Sequence, residues 1–144
     1  MRKFVLAAVA ASALLSAPAM ANEGRVEARS GIAWANGNED FIAGVAAGYD
    51  FDVDANVFVG VEGSIESNFD GAEFYNIGTR LGTKIGDGKL YLTGAYEIDS
   101  EEFGVGAGYE HAIGNNVYGK VEYRRYLLNG TDVNTAGVGL GMRF

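Results

Sequence analysis

The sequence contains no cysteine, and its only proline, Pro18, lies near the start of the 144-residue chain. Without cysteine the protein has no disulfide and no thiolate chemistry. The absence of proline after position 18 is typical of a continuous sheet, in which nearly every backbone N–H donates a hydrogen bond. Bases are also scarce, with 11 Lys and Arg against 19 Asp and Glu. This imbalance argues against nucleic acid as a partner, because phosphate binding requires clustered Lys and Arg.

Long apolar runs are missing as well, apart from one short run near the start. Two bases precede an apolar run from Phe4 to Leu15, and the small residues of Ala19-Met20-Ala21 follow it. This order is typical of a secretory signal peptide and predicts cleavage after Ala21. The run is shorter than the ~20 residues that a membrane-spanning helix needs. We therefore expect a signal peptide over residues 1–21 and one mature domain over residues 22–144.

Eight segments of the mature chain alternate between apolar residues and small or charged ones, and turn residues separate the segments. They are residues 25–34, 41–51, 57–66, 75–85, 90–98, 103–110, 117–124 and 137–144. This pattern predicts an all-β fold, an eight-stranded antiparallel up-and-down transmembrane β-barrel. Alternation alone also fits a soluble barrel of the lipocalin type, whose apolar phase lies inside.

The distribution of charge favours the membrane barrel. The apolar phase carries almost no charge at mid-strand, whereas the other phase carries charges of both signs and much glycine. Lipid tolerates no unpaired charge at mid-depth, while the lumen of a small barrel holds paired ones. We predict a network of paired charges that plugs the lumen, with Glu62 beside Arg80 as one pair. The predicted members are Arg25, Glu27, Arg29, Asp50, Glu62, Arg80, Lys84, Glu97, Glu110, Lys120, Glu122, Arg124 and Arg143.

Aromatic residues gather near the two ends of the predicted strands. Near one end lie Trp34, Phe41, Tyr75, Tyr96, Phe103 and Tyr123, and near the other lie Tyr49, Phe51, Tyr109 and Phe144. The two belts are separated by about 20 Å, close to the ~25 Å apolar band of outer-membrane barrels. We expect longer loops at the first end, including one at Ala35–Glu39, and tight turns at the second.

The final segment, Gly137 to Phe144, alternates glycine or arginine with apolar residues and ends on phenylalanine. The whole mature chain resembles the small outer-membrane barrels typified by the OmpA membrane domain, OmpX and the opacity-type proteins. In that family the last strand carries a signal for the barrel-assembly machinery, and Gly139, Met142 and Phe144 match its pattern. The resemblance implies the bacterial outer membrane as location, with lipid and lipopolysaccharide as neighbours. It also implies the assembly machinery as a partner during biogenesis, and a monomeric barrel.

Candidates for chemistry are few. His111 is the only histidine, and no serine lies near it on its own segment, so we predict no catalytic residue and no enzyme. We predict no cofactor and no metal site. Acids collect at the end with the expected longer loops: Glu39, Asp40, Glu66, Asp70, Glu73, Asp99, Glu101, Glu102 and Asp132. A solvated rim is the simpler interpretation of these acids, and divalent-cation binding is the alternative.

These features predict a structural protein of the envelope, with a role in envelope integrity or surface contact. A narrow, low-conductance channel of porin type is the main alternative. An enzyme that modifies outer-membrane lipid is a weaker one, because it requires a nucleophile and a base that lie together. Fold resemblance does not by itself transfer a function.

Overall fold

The structure is a computed structural model, and it describes residues 22–127 and 132–144. These residues form eight strands and no helix. The strands are β1 (Glu23–Ala35), β2 (Asn38–Asp52), β3 (Val57–Ser67), β4 (Glu73–Ile85), β5 (Gly88–Glu97), β6 (Glu102–Ala112), β7 (Val117–Leu127) and β8 (Val133–Arg143). Within this part of the chain, no helix meets the length and hydropathy of a membrane span. The predicted signal peptide, residues 1–21, lies outside the described residues.

The eight strands form a closed barrel in which each strand pairs antiparallel with its neighbours in sequence, and β1 pairs with β8. This confirms the predicted fold class. Following the register once around the barrel leads from Gly24 back to β1 at Trp34, ten residues further along. Eight strands with this shear tilt by about 40° to the barrel axis, within the usual range for closed barrels.

The two phases of the strands face opposite ways. On the outward phase, Val45 and Leu92 are 58% and 65% exposed, as apolar side chains that face lipid must be. On the inward phase, Arg25 and Glu110 are 0% exposed. The interior of this barrel is therefore rich in charge, and its apolar surface lies outside, as the distribution of charge predicted for a membrane barrel.

The barrel closes at the end where β1 begins and β8 ends, here called the terminal end. The N–H of Gly24 donates to the carbonyl of Phe144 at 2.9 Å, and the N–H of Phe144 donates to the carbonyl of Gly24 at 2.9 Å. The Phe144 ring lies over Gly24, where an added Cβ would come 2.6 Å from the ring. The last residue therefore completes the β1–β8 pairing.

The opposite end, here called the distal end, differs from the prediction at its first connection. Ala35 pairs with Asn38, so Asn36 and Gly37 alone form the turn, with φ of 49° and 81°. Positive φ at both positions is typical of a type I′ turn, which suits the twist of a hairpin. The expected longer loop at Ala35–Glu39 was therefore wrong.

The other connections are also short. The distal ones are residues 68–72, 98–101 and 128–132, of which residues 128–131 lie outside the described part of the chain. The terminal-end ones are residues 53–56, 86–87 and 113–116. The expected contrast between long loops at one end and tight turns at the other is weak, because the strands extend further than the alternation indicated.

Candidate functional site in the barrel lumen

Ion pairs inside the barrel join eight basic and eight acidic side chains. The bases are Arg25, Arg29, Arg80, Lys84, Lys89, Lys120, Arg124 and Arg143. The acids are Glu23, Glu27, Asp50, Asp52, Glu62, Glu66, Glu110 and Glu122. The numbers are equal, and pairing matters because a buried charge without a partner costs several kcal/mol.

One part of this network lies in the middle of the barrel, and we call it the mid-barrel group. Its members are Glu27, Arg29, Glu62, Glu66, Lys120, Glu122 and Arg124. Glu62 accepts hydrogen bonds from Arg29 at 2.6 Å and from Arg124 at 2.9 Å. Lys120 lies 2.5 Å from Glu27. Two tyrosines support the acids, since Tyr118 donates to Glu27 at 2.7 Å and Tyr91 donates to Glu122 at 2.6 Å.

A second part, the terminal group, lies nearer the chain ends. Its members are Glu23, Asp50, Arg80, Lys89, Glu110 and Arg143. Arg80 pairs with Asp50, and with Glu110 at 2.9 Å. Its guanidinium carbon lies 5.1 Å from the centre of the Phe58 ring and 4.9 Å from that of Tyr91, within the range of cation–π contacts. The terminal group therefore brings charges and aromatic rings into contact inside the barrel.

The structure does not form the expected pair of Glu62 and Arg80. The register places Gly60 opposite Arg80 and Gly78 opposite Glu62. Arg80 reaches across Gly60 to the acid on β2, and Glu62 turns to the arginines of β1 and β7. Proximity on neighbouring strands was an insufficient guide, because long side chains in a narrow lumen reach past the adjacent strand.

Arg25 connects the two groups. Its guanidinium lies 2.7 Å from Glu62, 3.6 Å from Glu27 and 3.7 Å from Asp50. The terminal group has three bases and three acids, whereas the mid-barrel group has three bases and four acids. Arg25 therefore supplies the positive charge that makes the two groups neutral together.

Glycines provide the space for these side chains. A Cβ on Gly48 would lie 2.7 Å from a terminal nitrogen of Arg25, and a Cβ on Gly108 would collide with the Tyr91 ring. A narrow barrel can hold long inward side chains only where the residues beside those side chains are small. The glycine content of the inward phase follows from this requirement.

The remaining predicted members of the network lie as follows. Lys84 pairs with Asp52 at 2.5 Å, near the terminal end and apart from the two groups. Glu97 points inward and is buried, yet it accepts from the N–H groups of Asp99 at 3.1 Å and Ser100 at 2.7 Å instead of from a base. It therefore stabilises the β5–β6 turn.

Four members of the network were not predicted. They are Glu23, Asp52, Glu66 and Lys89. Glu66 was expected on the acidic distal rim, but it is buried and lies 3.1 Å from Arg29, because β3 continues to Ser67. Lys89 was missed because β5 begins two residues before the predicted segment, at Gly88.

The predicted aromatic residues lie on the outward phase. At the distal end, the rings of Trp34 and Tyr123 lie 6.2 Å apart. At the terminal end, Tyr49 and Phe51 lie 4.9 Å apart. Tyr49 is only 7% exposed, so neighbouring side chains cover most of a ring that was expected to face lipid. The other members of the predicted belts are Phe41, Tyr75, Tyr96, Phe103, Tyr109 and Phe144. Of the residues in the predicted assembly signal, Met142 lies on the outward phase of β8 and Gly139 lies on the inward phase.

His111 lies on the outer face near the terminal end. Its Nδ1 is 3.2 Å from the Tyr109 hydroxyl, and the two rings are stacked with centroids 6.1 Å apart. Within residues 22–127 and 132–144, no group of three or more His, Asp or Glu side chains is arranged to hold a metal ion.

A family model described as the outer membrane protein β-barrel domain matches residues 7–144. The chain belongs to this family. Membership locates the protein in the bacterial outer membrane, in agreement with the outward apolar face. No curated protein matches the chain by sequence.

Several solved structures share this fold. Ail, the attachment invasion locus protein of Yersinia pestis, is similar with a TM-score of 0.60 and 15% identity, over 85% of this chain and 97% of that one. Neisserial surface protein A gives 0.55 and 15%, over 89% and 100%. The N-terminal β-barrel domain of Pseudomonas aeruginosa OprF gives 0.54 and 16%, over 83% and 97%. At these identities the likeness concerns the fold alone.

Proposed function

We propose that the protein is a non-conducting barrel that contributes to the integrity of the outer membrane, with surface contact as a secondary role. The observation that carries this proposal is the neutral network of eight bases and eight acids in the lumen. Paired charges and the buried rings of Phe58 and Tyr118 occupy the space through which ions would pass. An eight-stranded barrel is just wide enough for side chains to fill its interior.

The short distal connections support integrity over adhesion. The β1–β2 turn has two residues, and the longest connections on that side have five. Connections of this length offer few residues beyond the strand ends for contact with a partner. The barrel therefore presents mainly its outer wall, where apolar side chains such as Val26, Val45 and Leu140 are exposed. Acyl chains of outer-membrane lipid and lipopolysaccharide suit such a surface.

A narrow channel is the second candidate. A cavity of about 40 Å³ lies at the distal side of the network, between Arg29, Glu66 and Arg124. Such a volume has room for a few water molecules. Conduction would require this space to continue through the terminal group, where Arg80 lies between two aromatic rings. We therefore place the channel second, and we place a lipid-modifying enzyme below it.

The remaining parts of the proposal concern biogenesis. We propose export with cleavage after Ala21, insertion by the barrel-assembly machinery through a signal that includes Gly139, Met142 and Phe144, and a monomeric barrel. The exposed position of Met142 and Phe144 on the last strand supports recognition of that strand before the barrel closes.

Deletion of the gene tests the proposed role. Cells that lack the protein should admit more of a hydrophobic fluorescent probe that an intact outer membrane excludes, and the wild-type gene should restore exclusion. Liposome swelling with small solutes separates the two candidates, since a closed barrel produces no swelling above protein-free vesicles. Unchanged probe uptake in the deletion strain, combined with rapid swelling, would favour the channel.

A further inference from the structure

Part of the sequence recurs sixty residues later. Ala-Gly-Tyr, Asn-Val and Val-Glu stand at residues 47–49, 56–57 and 61–62, and again at 107–109, 116–117 and 121–122. Each stretch forms a hairpin whose turn lies at the terminal end, β2–β3 in the first case and β6–β7 in the second. Hairpins that start four strands apart lie on opposite sides of an eight-stranded closed barrel. The repeat in the sequence therefore coincides with a repeat in the fold.

The backbone hydrogen bonds of the two stretches are the same. In each turn the first residue donates its N–H to the carbonyl of a valine, at 2.9 Å and 2.8 Å respectively: Val53 to Val57, and Ile113 to Val117. The strand after each hairpin donates to the carbonyl of the repeated asparagine, in both cases at 2.8 Å: Lys84 to Asn56, and Arg143 to Asn116. The correspondence thus extends to β4 and β8. It divides the barrel into two halves, β1–β4 and β5–β8, which meet at β4–β5 and β8–β1, here called the seams.

Both seams bring two bases face to face. Lys84 lies opposite Lys89 across β4–β5, and Arg143 lies opposite Arg25 across β8–β1. In the part of the chain that the structure describes, the other strand pairs place no base opposite a base. Like charges directly opposite each other destabilise a strand pair. The seams therefore depend on acids from other strands.

Two acids at the same position of the repeat, Asp50 on β2 and Glu110 on β6, each contact both seams. Asp50 lies 3.7 Å from Arg25 of one seam and 3.1 Å from Lys89 of the other. Glu110 lies 2.5 Å from Arg143 and 4.0 Å from Lys89. Both carboxylates are buried, so solvent ions screen their attraction to the bases only weakly. Each acid can therefore compensate a base of either seam.

The other acids near the seams are less suited to this role. Glu23 also contacts one base of each seam, but its side chain is 29% exposed, and exposed ion pairs contribute little. Three further acids contact the bases of one seam only: Glu27, Asp52 and Glu62. Arg80 binds both Asp50, with Nε at 2.8 Å, and Glu110, at 2.9 Å. It thus holds the two equivalent acids between the seams.

We propose that the barrel consists of two copies of one four-stranded unit, and that Asp50 and Glu110, at equivalent positions in the two copies, hold both seams closed. Without these carboxylates, two bases face each other at each seam with less compensation. The role is specific to the contact between the halves and is separate from the closure of the lumen to ions. A general contribution to stability, with no preference for the seams, is the competing interpretation.

Pyrene excimer fluorescence can report on each strand border separately, because the chain has no cysteine of its own. Paired outward residues carry the label: Val26→Cys with Met142→Cys across β8–β1, Leu81→Cys with Leu92→Cys across β4–β5, and Val45→Cys with Ile65→Cys across β2–β3 as the reference within one half. Each protein is folded into phosphatidylcholine vesicles and then unfolded with urea. Loss of the excimer gives a urea midpoint for each border.

The test variant combines Asp50→Asn with Glu110→Gln in each labelled background. The matched control combines Glu66→Gln with Glu122→Gln, which also removes two lumen acids but contacts no base of a seam. In the wild type and the control we expect one midpoint for all three borders. In the test variant both seams should open at least about 1 M urea before the β2–β3 reference. A common midpoint at all three borders, or an equal separation in the control, would overturn the proposal.

A further substitution tests each seam by itself. Adding Lys89→Gln to the test variant removes the facing bases at β4–β5 and keeps them at β8–β1. The β4–β5 midpoint should then return to that of the reference, while the β8–β1 midpoint stays lower; no recovery at β4–β5 would contradict the proposal. Where the test variant does not fold by gel mobility, Asp50→Asn and Glu110→Gln are compared singly. Each acid contacts both seams, so either loss should separate both seams from the reference, and a common midpoint again overturns the proposal.

Discussion

Replacing Arg25 with methionine perturbs the lumen network at the residue that joins its two groups. The guanidinium is fully buried and lies 2.7 Å from Glu62, 3.6 Å from Glu27 and 3.7 Å from Asp50. Methionine keeps an unbranched apolar chain but removes the charge. The seven acids of the two groups then face six bases, so one buried negative charge loses its compensation.

The expected loss is large. Removing one partner of a buried ion pair typically costs about 3–5 kcal/mol, because the other partner stays buried without compensation. Domain stabilities are of the order of 5–15 kcal/mol, so Arg25→Met should lower the free energy of unfolding by a large fraction. Urea unfolding in phosphatidylcholine vesicles, followed by Trp34 fluorescence and by gel mobility, measures this change.

Two controls make the result interpretable. Arg125→Met removes an exposed ion pair with Asp132 on the outer face, so its free energy of unfolding should stay close to that of the wild type. Arg25→Met combined with Glu62→Gln restores neutrality and should lose less than the sum of the two single variants. The reasoning is refuted if Arg25→Met unfolds within about 1 kcal/mol of the wild type, since that value is typical of exposed pairs.

Three further predictions concern glycines and the chain end. Gly108→Ala should reduce the folded fraction on gels, because the added Cβ would collide with the Tyr91 ring; Gly94→Ala, whose Cβ would lie 3.5 Å from the nearest atom, should fold normally. Gly37→Ala should lower the free energy of unfolding in urea by about 1–2 kcal/mol, because φ at this turn is 81°. Phe144→Lys should lower the amount of protein in the outer-membrane fraction, because it places a charge on the outward phase and removes the ring over Gly24; normal levels would contradict the assigned role of this residue.

The fold was predictable because alternation with a period of two separates the two faces of each strand, and the charges on one face assign the other face to lipid. Val45 and Arg25 show the contrast, since one is exposed on the outer wall and the other is fully buried inside. The closed antiparallel order followed from the even number of segments with short connections. The turn at Asn36 and Gly37 was missed because strands at the distal end continue through residues that carry charge.

The partners within the lumen were not predictable from the sequence. Alternation identifies an inward residue such as Arg80 but gives neither the shear of the barrel nor the reach of its side chain. With a shear of ten residues, Arg80 meets Asp50 and Glu110 instead of Glu62. Lys89 and Glu66 were missed for a related reason, because each lies at the edge of a segment whose bounds the pattern fixes poorly.

Single-channel recording tests the central claim most directly, namely that paired charges and rings close the lumen. The wild-type protein in planar lipid bilayers should produce no stable current steps. A variant with Phe58→Gly and Tyr118→Gly removes the two largest fully buried rings and, where it folds by gel mobility, should conduct under the same conditions. Stable, reproducible current steps from the wild-type barrel would contradict the account.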